Sequence, residues 1–250
     1  MNALRGLSRP AGLDPGLLAL SLVGVAAANL VAPHLPDPGS AGQVAWLALV
    51  AFPLATLTAR AMAPAGAPGG RLVWAALALT ALTAALIAAG LGGTPATLSK
   101  LVAATLVGLL LTSLLTSARE LVAIALLVAA VDAYSVAAGP TKAIVEHHPS
   151  VLGAFTLGFA APGSAGSGQI GASDFAFFAL FLGACQRMGL NVRLTWLAMT
   201  ASFGATMALS YLFNLALPAL PLLSLAFLAV NGRMLKARGW GIPAPPEGES

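Results

Sequence analysis

Long, nearly unbroken runs of hydrophobic residues alternate with short polar or Gly- and Pro-rich segments along most of the chain. A run of about 20 apolar residues is long enough to cross a bilayer as an α-helix. Because the runs are continuous rather than alternating, they predict helices and not the strands of a barrel. The predicted spans are Leu13–Val31, Val44–Ala61, Leu72–Leu91, Pro95–Ser117, Leu121–Ala138, Gln169–Met188, Leu194–Leu217 and Pro218–Gly232. The expected fold is therefore an all-α, polytopic transmembrane bundle of about eight spans.

Composition points to the same class. Of the 250 residues, 58% are hydrophobic and only 8% are charged, whereas soluble domains carry about 25% charged residues. The net charge is +4, but the twelve Lys and Arg stand singly at the ends of apolar runs, so nucleic acid is not expected as a partner. The single cysteine, Cys185, excludes an intramolecular disulfide.

The basic residues also predict how the chain crosses the bilayer. With the amino terminus inside, ten Lys and Arg fall on inner segments, and only Lys100 and Lys142 fall on outer ones. Cytoplasmic loops carry the excess of basic residues in membrane proteins. We therefore expect both termini in the cytoplasm. The compactness of the chain leads us to expect a prokaryotic plasma membrane. Span one also resembles a secretory signal, with Arg5 and Arg9 before an apolar core, and its cleavage is left open.

Apart from Asp14, which an N-cap role before Pro15 explains, two acidic residues, Asp132 and Asp174, fall inside predicted spans. Placing an ionised aspartate within a bilayer costs about 2.5 to 3.5 kcal/mol, so such residues usually have a function and a partner. Asp132 lies six residues before the outer end of its span and Asp174 five residues after the start of the next. The two carboxyl groups are thus expected at similar depth on neighbouring antiparallel helices. The alternative is a protonated Asp that only hydrogen-bonds across a helix interface.

Three short segments carry a resemblance. They are "AVDAYSVAAGPTKAIVE" around Asp132, "IGASDFAFFAL" around Asp174, and "LPALPLL" at residues 217–223. In this order and spacing they resemble the two active-site segments and the Pro-Ala-Leu motif of the presenilin and signal peptide peptidase family of intramembrane aspartyl proteases. The resemblance covers Leu121–Gly232, and the first four spans share only hydrophobicity with the family.

This resemblance implies a presenilin-like fold and a set of site residues. It makes Asp132 and Asp174 the catalytic pair and assigns substrate binding to Pro218, Ala219 and Leu220. The active-site neighbours it implies are Val131, Tyr134, Gly171, Ser173 and Phe175. The chain departs from the family pattern at Val131, where the family has Tyr, and at Ser173, where it has a second Gly. The implied substrates are transmembrane helices with a cytoplasmic amino terminus, including signal-peptide remnants.

The chemistry of two neighbouring aspartates also follows without the family. Two carboxyl groups close together share a proton and titrate as a unit. One can then accept a proton from an attacking water while the other donates to the carbonyl oxygen. Such peptide hydrolysis requires no metal and no other cofactor, and none is expected.

Other functions remain open at this point. A transporter or channel could use the same two aspartates to relay protons or bind a cation. A catalytically inactive relative would bind membrane helices without cutting them. A prepilin-peptidase-like protease would have its site on the cytoplasmic side, against the charge bias. A homo-oligomer is neither required nor excluded.

The chain divides into three predicted parts. Residues 1–117 form a scaffold of four spans, residues 118–239 form the catalytic half, and residues 240–250 form a disordered tail. The longest connection, Gly139–Gly168, contains a predicted short helix, "TKAIVEHH", and a Gly- and Ser-rich stretch, "PGSAGSG". The latter composition predicts a flexible linker, which so close to Asp174 suggests a gate.

Overall fold

The computed structural model of the protein describes residues 13–63, 93–138, 155–164 and 167–237, together with Gly153 and a few single positions between 78 and 89. The helices are α1 Pro15–Val31, α2 Gly39–Met62 with a π-helical turn at Leu47–Ala51, α3 Thr94–Leu114, α4 Ala118–Ala138, α5 Ala172–Arg187, α6 Val192–Phe213 and α7 Leu220–Ala237. Strands β1 Thr156–Ala160 and β2 Ser167–Gly171 form an antiparallel hairpin between α4 and α5.

The described residues thus contain seven helices where eight spans were predicted. The third predicted span, Leu72–Leu91, lies almost entirely outside the described residues. So do the predicted short helix at 141–148 and the tail at 240–250. All helices but α5 are long and apolar enough to cross a membrane. The prediction is thus confirmed as far as the described residues are mostly helical and six of their helices could cross a membrane by length and composition. The all-α class is corrected by the hairpin of β1 and β2.

Helix α5 is the central helix of the bundle. It has 16 residues, and ten of them, from Phe175 to Cys185, are buried. A helix that is hydrophobic all round is typical of a protein core. At 1.5 Å per residue it is about 24 Å long, which is shorter than the roughly 30 Å hydrocarbon layer. One of its ends therefore lies below a membrane surface if the bundle spans the bilayer.

Small residues let α3 and α5 approach closely. A Cβ added at Gly108 would lie 2.1 Å from the carbonyl oxygen of Ala176, and one at Gly183 would lie 2.8 Å from a Leu109 methyl group. Glycines at helix interfaces allow such backbone contact in membrane proteins. The Thr112 hydroxyl adds a hydrogen bond of 3.1 Å to the Leu180 carbonyl. These contacts fix α5 against α3.

Helix α4, which carries Asp132, packs mainly against α7. Its buried residues are Ala118, Leu121 and Ala125, all in its first half. In its second half, Val131 and Tyr134 are exposed on its outer surface. The contact with α7 therefore determines where Asp132 lies.

The hairpin corrects two predictions. The predicted sixth span, Gln169–Met188, is wrong at its start, because Gln169–Gly171 is strand and the helix begins only at Ala172. The predicted flexible linker at 162–168 is also wrong where it is described, because Pro162 and Gly163 form a turn and residues 167 and 168 begin β2. A Cβ at Gly163 would lie 2.5 Å from the Asp37 Cα, and its φ of +64° suits glycine. This end of the hairpin is therefore packed on the loop after α1.

The last predicted span also shifts. The sequence predicts it at Pro218–Gly232, but α7 runs from Leu220 to Ala237. Pro218 and Ala219 precede the helix, and Pro221 lies in its first turn, where a missing N–H is tolerated.

Candidate active site

A cleft of about 870 Å³ opens between α4, α6, the hairpin and the segment before α7. Asp132 of α4 and Asp174 of α5 both line it. Part of its apolar wall is aromatic, since Phe52 and Phe203 are buried there with ring centroids 6.3 Å apart. Its uncharged polar lining comes from Thr156, Gln169, Ser173, Thr206 and Ser210. The cleft thus combines two carboxyl groups with a mixed polar and apolar wall.

Asp132 is held by the amino-terminal end of α7. Its Oδ2 accepts a hydrogen bond of 3.0 Å from the backbone N–H of Leu220. The backbone of Ala219 also hydrogen-bonds this carboxylate. Asp132 is half-buried. The packing of α4 on α7 therefore serves a second purpose, because it brings the carboxylate to free N–H groups at a helix start.

The Pro-Ala-Leu motif thus touches a candidate catalytic group directly. Pro218 and Ala219 line the cleft, whereas the Leu220 side chain is buried at 5% exposure. The contact is made by the Leu220 backbone, and the side chain anchors the start of α7 in the core. Sequence reasoning assigned this motif to the substrate and missed its contact with Asp132.

Asp174 lies in the first turn of α5, and its side chain folds back over Gly171. A Cβ at Gly171 would lie 2.9 Å from the Asp174 Oδ2 and 3.2 Å from its Cγ. The backbone N–H of Gly171 and the hydroxyl of Ser173 both hydrogen-bond the Asp174 carboxylate. Gly171 has φ −59° and ψ 136°, a conformation open to any residue. Glycine is required here for space next to the carboxylate and not for an unusual backbone angle.

The structure brings the two carboxyl groups together. They line the same cleft, close enough for the charge of Asp132 to act on Asp174. Like charges so placed cannot both ionise cheaply. The partners differ, because Asp132 faces the backbone amides of Ala219 and Leu220 at the start of α7, while Asp174 faces Gly171 and Ser173.

Three of the predicted active-site neighbours lie away from the cleft. Val131 is 57% exposed and Tyr134 is 67% exposed on the outer surface of α4. Phe175 is fully buried in the core and stacks on Phe178 with ring centroids 5.8 Å apart. The departure from the family pattern at Val131 therefore falls on an outer face, and the departure at Ser173 falls inside the site.

The hairpin presents one strand edge to the cleft. Thr156 pairs with Gly171 and Gly158 pairs with Gln169 in an antiparallel register. In such a pair, alternate residues direct their backbone groups toward the partner strand or away from it. The Gly158 carbonyl and the Ala160 N–H point away from β2, because both bond Asn29. In this register the backbone N–H and C=O groups of Gln169 and Gly171 therefore point away from β1. Gln169 and Gly171 line the cleft, so this edge of β2 borders it.

Sequence reasoning missed this hairpin and the polar residues of α6. A signal for β1 exists, because Leu157 and Phe159 alternate with small or polar residues and are the buried ones. In α6, Thr206 and Ser210 lie four residues apart on one face, which is the helical spacing for a shared surface.

Among the described residues, no group of three or more His, Cys, Asp or Glu is arranged to hold a metal ion. His147 and His148 lie outside the described residues. Comparisons with protein-family models, with curated proteins and with solved structures find no match for this chain.

Proposed function

We propose that the protein is an intramembrane aspartyl endopeptidase that cuts transmembrane helices. The observation that carries the proposal is that Asp132 and Asp174, from separate helices, line one cleft in a bundle of apolar helices. The presenilin-like motifs, which place the same two residues in catalytic roles, support it. In this proposal both termini face the cytoplasm, and the bilayer of a prokaryotic plasma membrane surrounds the bundle.

The position of the hairpin supports access of water. Strands with an open edge occur at membrane depth only where they are buried in protein or line a water-filled cavity. The edge of β2 that carries Gln169 borders the cleft, directly before the short helix α5. A cleft of about 870 Å³ has room for many waters as well as a peptide segment. Water is the second substrate of the proposed reaction.

The reaction uses the shared proton of the pair. The ionised carboxylate removes a proton from a water whose oxygen forms a bond to the substrate carbonyl carbon. The protonated carboxyl gives its proton to the carbonyl oxygen, which yields a tetrahedral diol. The C–N bond then breaks, the leaving nitrogen takes a proton from the first carboxyl, and the diol returns one to the second. The pair ends with one proton, as it began.

The substrate must be extended at the bond that is cut. Within a helix, the peptide groups are shielded by their own hydrogen bonds. The edge of β2 offers backbone donors and acceptors, and an extended peptide can add to such an edge as a further strand. Gly171 ends this strand two residues before Ser173 and three before Asp174. A peptide paired with β2 would therefore pass the carboxyl groups in a defined register.

The decisive test is cleavage of a labelled single-span substrate by purified protein in liposomes. Asp132→Asn and Asp174→Asn should each abolish cutting, because Asn cannot exchange a proton in this way but keeps the size and the acceptor oxygen. The matched control is Asp14→Asn, a change at the N-cap of α1, where the acceptor for the Leu17 N–H is retained. Its activity should equal that of the wild type.

Two outcomes would contradict the proposal. The first is absence of cutting by correctly folded wild-type protein over a panel of single-span substrates. The second is cutting that persists in either Asn variant. If the same liposomes instead show a proton flux that both Asn variants abolish, the two aspartates serve transport.

A further inference from the structure

Three side chains cover the outer edge of β1, the edge opposite to β2. Asn29 of α1 accepts a hydrogen bond of 3.0 Å from the Ala160 N–H and donates one of 3.4 Å to the Gly158 carbonyl. The Thr97 hydroxyl of α3 donates to the same carbonyl at 3.0 Å. Lys100, one turn further along α3, donates from Nζ to the carbonyls of Thr156 at 3.0 Å and Gly153 at 2.7 Å. We call Asn29, Thr97 and Lys100 the β1 clamp.

The clamp makes the hydrogen bonds to the outer edge of β1 that a third strand would otherwise make. A carboxamide side chain offers a donor and an acceptor side by side, as a peptide group does, and Asn29 uses both on alternate residues of β1. An isolated two-stranded hairpin is marginally stable, and unsatisfied backbone groups are costly within a membrane protein. Asn29 and Thr97 are buried at 9% and 5% exposure. They hydrogen-bond the backbone groups at the outer edge of β1 and so tie this strand to helices α1 and α3.

Lys100 is notable because of its charge. It is one of only two basic residues on the predicted outer side, so it counts against the predicted orientation. A lysine near a span end is commonly explained by its ammonium reaching the membrane surface. Here the ammonium is bound to two carbonyl oxygens at the start of the hairpin. The three N–H donors of the ammonium suit this contact, because carbonyl oxygens are strong hydrogen-bond acceptors although they carry no net charge.

Contacts that fix β1 also fix β2, the strand that borders the cleft, because the two strands are paired. Thr156, which Lys100 holds by its carbonyl, pairs with Gly171. Gly171 in turn lies against the Asp174 carboxylate. The connection from the clamp to Asp174 thus runs through one pair of strand residues. The clamp closes one edge of the hairpin and leaves the other edge facing the cleft.

We propose that the β1 clamp positions the hairpin relative to the two aspartates and thereby determines which peptide bond of the substrate is cut. This inference rests on the proposed protease function. Asn29, Thr97 and Lys100 are positioning residues, since none of them lines the cleft. If the clamp is weakened, β1 and β2 shift relative to the pair, and a substrate strand that follows β2 shifts with them. The expected shift is about two residues, because the side-chain pattern of a strand repeats at that interval.

The test is the identity of the products. Wild-type protein and the variants Asn29→Ala, Thr97→Val and Lys100→Met are given the same single-span substrate, and the peptide products are weighed by mass spectrometry. Each clamp variant should lose product from the principal cut site and gain product from sites about two residues away. Lys100→Arg, which retains donors and charge, should restore the principal site.

Two controls remove hydrogen bonds of similar kind elsewhere. Asn191→Ala removes the N-cap of α6, where the side chain accepts from the Leu194 N–H at 3.0 Å. Thr105→Val removes a buried hydroxyl that bonds within α3, to the Leu101 carbonyl at 2.8 Å. Both variants can lower thermal stability, but neither should move the cut site.

The outcomes separate the inference from the function on which it rests. If clamp variants cut more slowly at an unchanged site, the clamp only stabilises the fold, and the inference is overturned while the protease function stands. The inference is also overturned if the control variants move the site as far as the clamp variants do. If wild-type protein cuts nothing, the proposed function fails and this inference fails with it.

Discussion

The sharpest single test of the site geometry is Gly171→Ala. The added methyl group would lie 2.9 Å from the Asp174 Oδ2 and 3.2 Å from its Cγ. Non-bonded carbon atoms in contact lie about 3.5 Å apart, and by this measure the carboxyl oxygen must move by about 0.6 Å. The atoms in the way belong to the end of a side chain and not to the backbone. The displacement therefore falls on Asp174 itself.

The size of the effect follows from how well a catalytic group must be placed. Catalytic groups work within about 0.5 Å of their productive position, and a misplacement of about 1 Å can cost 100-fold in rate. We expect kcat to fall about 10- to 100-fold, which corresponds to about 1.4 to 2.7 kcal/mol of transition-state stabilisation. Stability should not fall, because alanine adopts φ −59° and ψ 136° freely. Loss of glycine can even add about 0.4 to 1 kcal/mol by restricting the unfolded chain.

The assay is single-turnover cleavage of a labelled substrate, with thermal unfolding measured on the same samples. Gly232→Ala is the matched control, because a Cβ there meets nothing within 4 Å, and its rate should equal that of the wild type. Unchanged kcat in Gly171→Ala would refute the argument that Asp174 must stay folded over Gly171. A large loss of thermal stability in Gly171→Ala would also refute the argument, because it would show that the backbone moves and not the Asp174 carboxyl group.

Three further predictions concern the surroundings of the pair. Ser173→Gly removes the hydroxyl that hydrogen-bonds the neighbouring Asp174 carboxylate. The profile of kcat against pH should therefore shift while folding is retained, and initial rates from acid to neutral pH would measure this shift. Leu220→Pro removes the N–H that bonds Asp132 and should lower kcat more than Leu220→Ala, which loses the same side chain but keeps the N–H; equal rates would contradict this role. Gly108→Ala places a methyl 2.1 Å from the Ala176 carbonyl oxygen, so thermal unfolding should show about 1 to 3 kcal/mol of destabilisation.

Sequence patterns predict the helical spans because a span depends on local composition. A run of about 20 apolar residues must become a helix in a bilayer, whatever lies around it. The six helices that meet this criterion overlap predicted spans over most of their length. The sequence also supplies the two aspartates, because an acid within an apolar run is visible without any structure.

The hairpin was missed because its strands are short and its stability is not local. Each strand has five residues, and Gly, Ser and Pro around them are typical of loops. What holds β1 is a set of distant side chains, such as Asn29, which lies 129 residues from Gly158 in the chain. No local pattern reports such a pairing, because an Asn within a span also fits an ordinary interhelical hydrogen bond.

The contact between Asp132 and α7 was missed for a different reason. It is made by the backbone N–H of Leu220, and a backbone group carries no signal in the sequence. The motif at Pro218–Leu220 draws attention by its side chains, although its geometry matters through the amides that follow Pro218. The role of Gly171 is similar, because only the folded structure shows that its missing side chain makes room for Asp174.

The central claim is that Asp132 and Asp174 act as one catalytic unit. The most direct measurement is the single-turnover rate of cleavage by Asp132→Asn, by Asp174→Asn and by the double variant, all on one substrate in liposomes. Groups that act as a unit are strongly non-additive, so that removing one costs about as much as removing both. We expect each single variant to fall to the background rate and the double variant to fall no further. Partial losses that multiply in the double variant would contradict the claim.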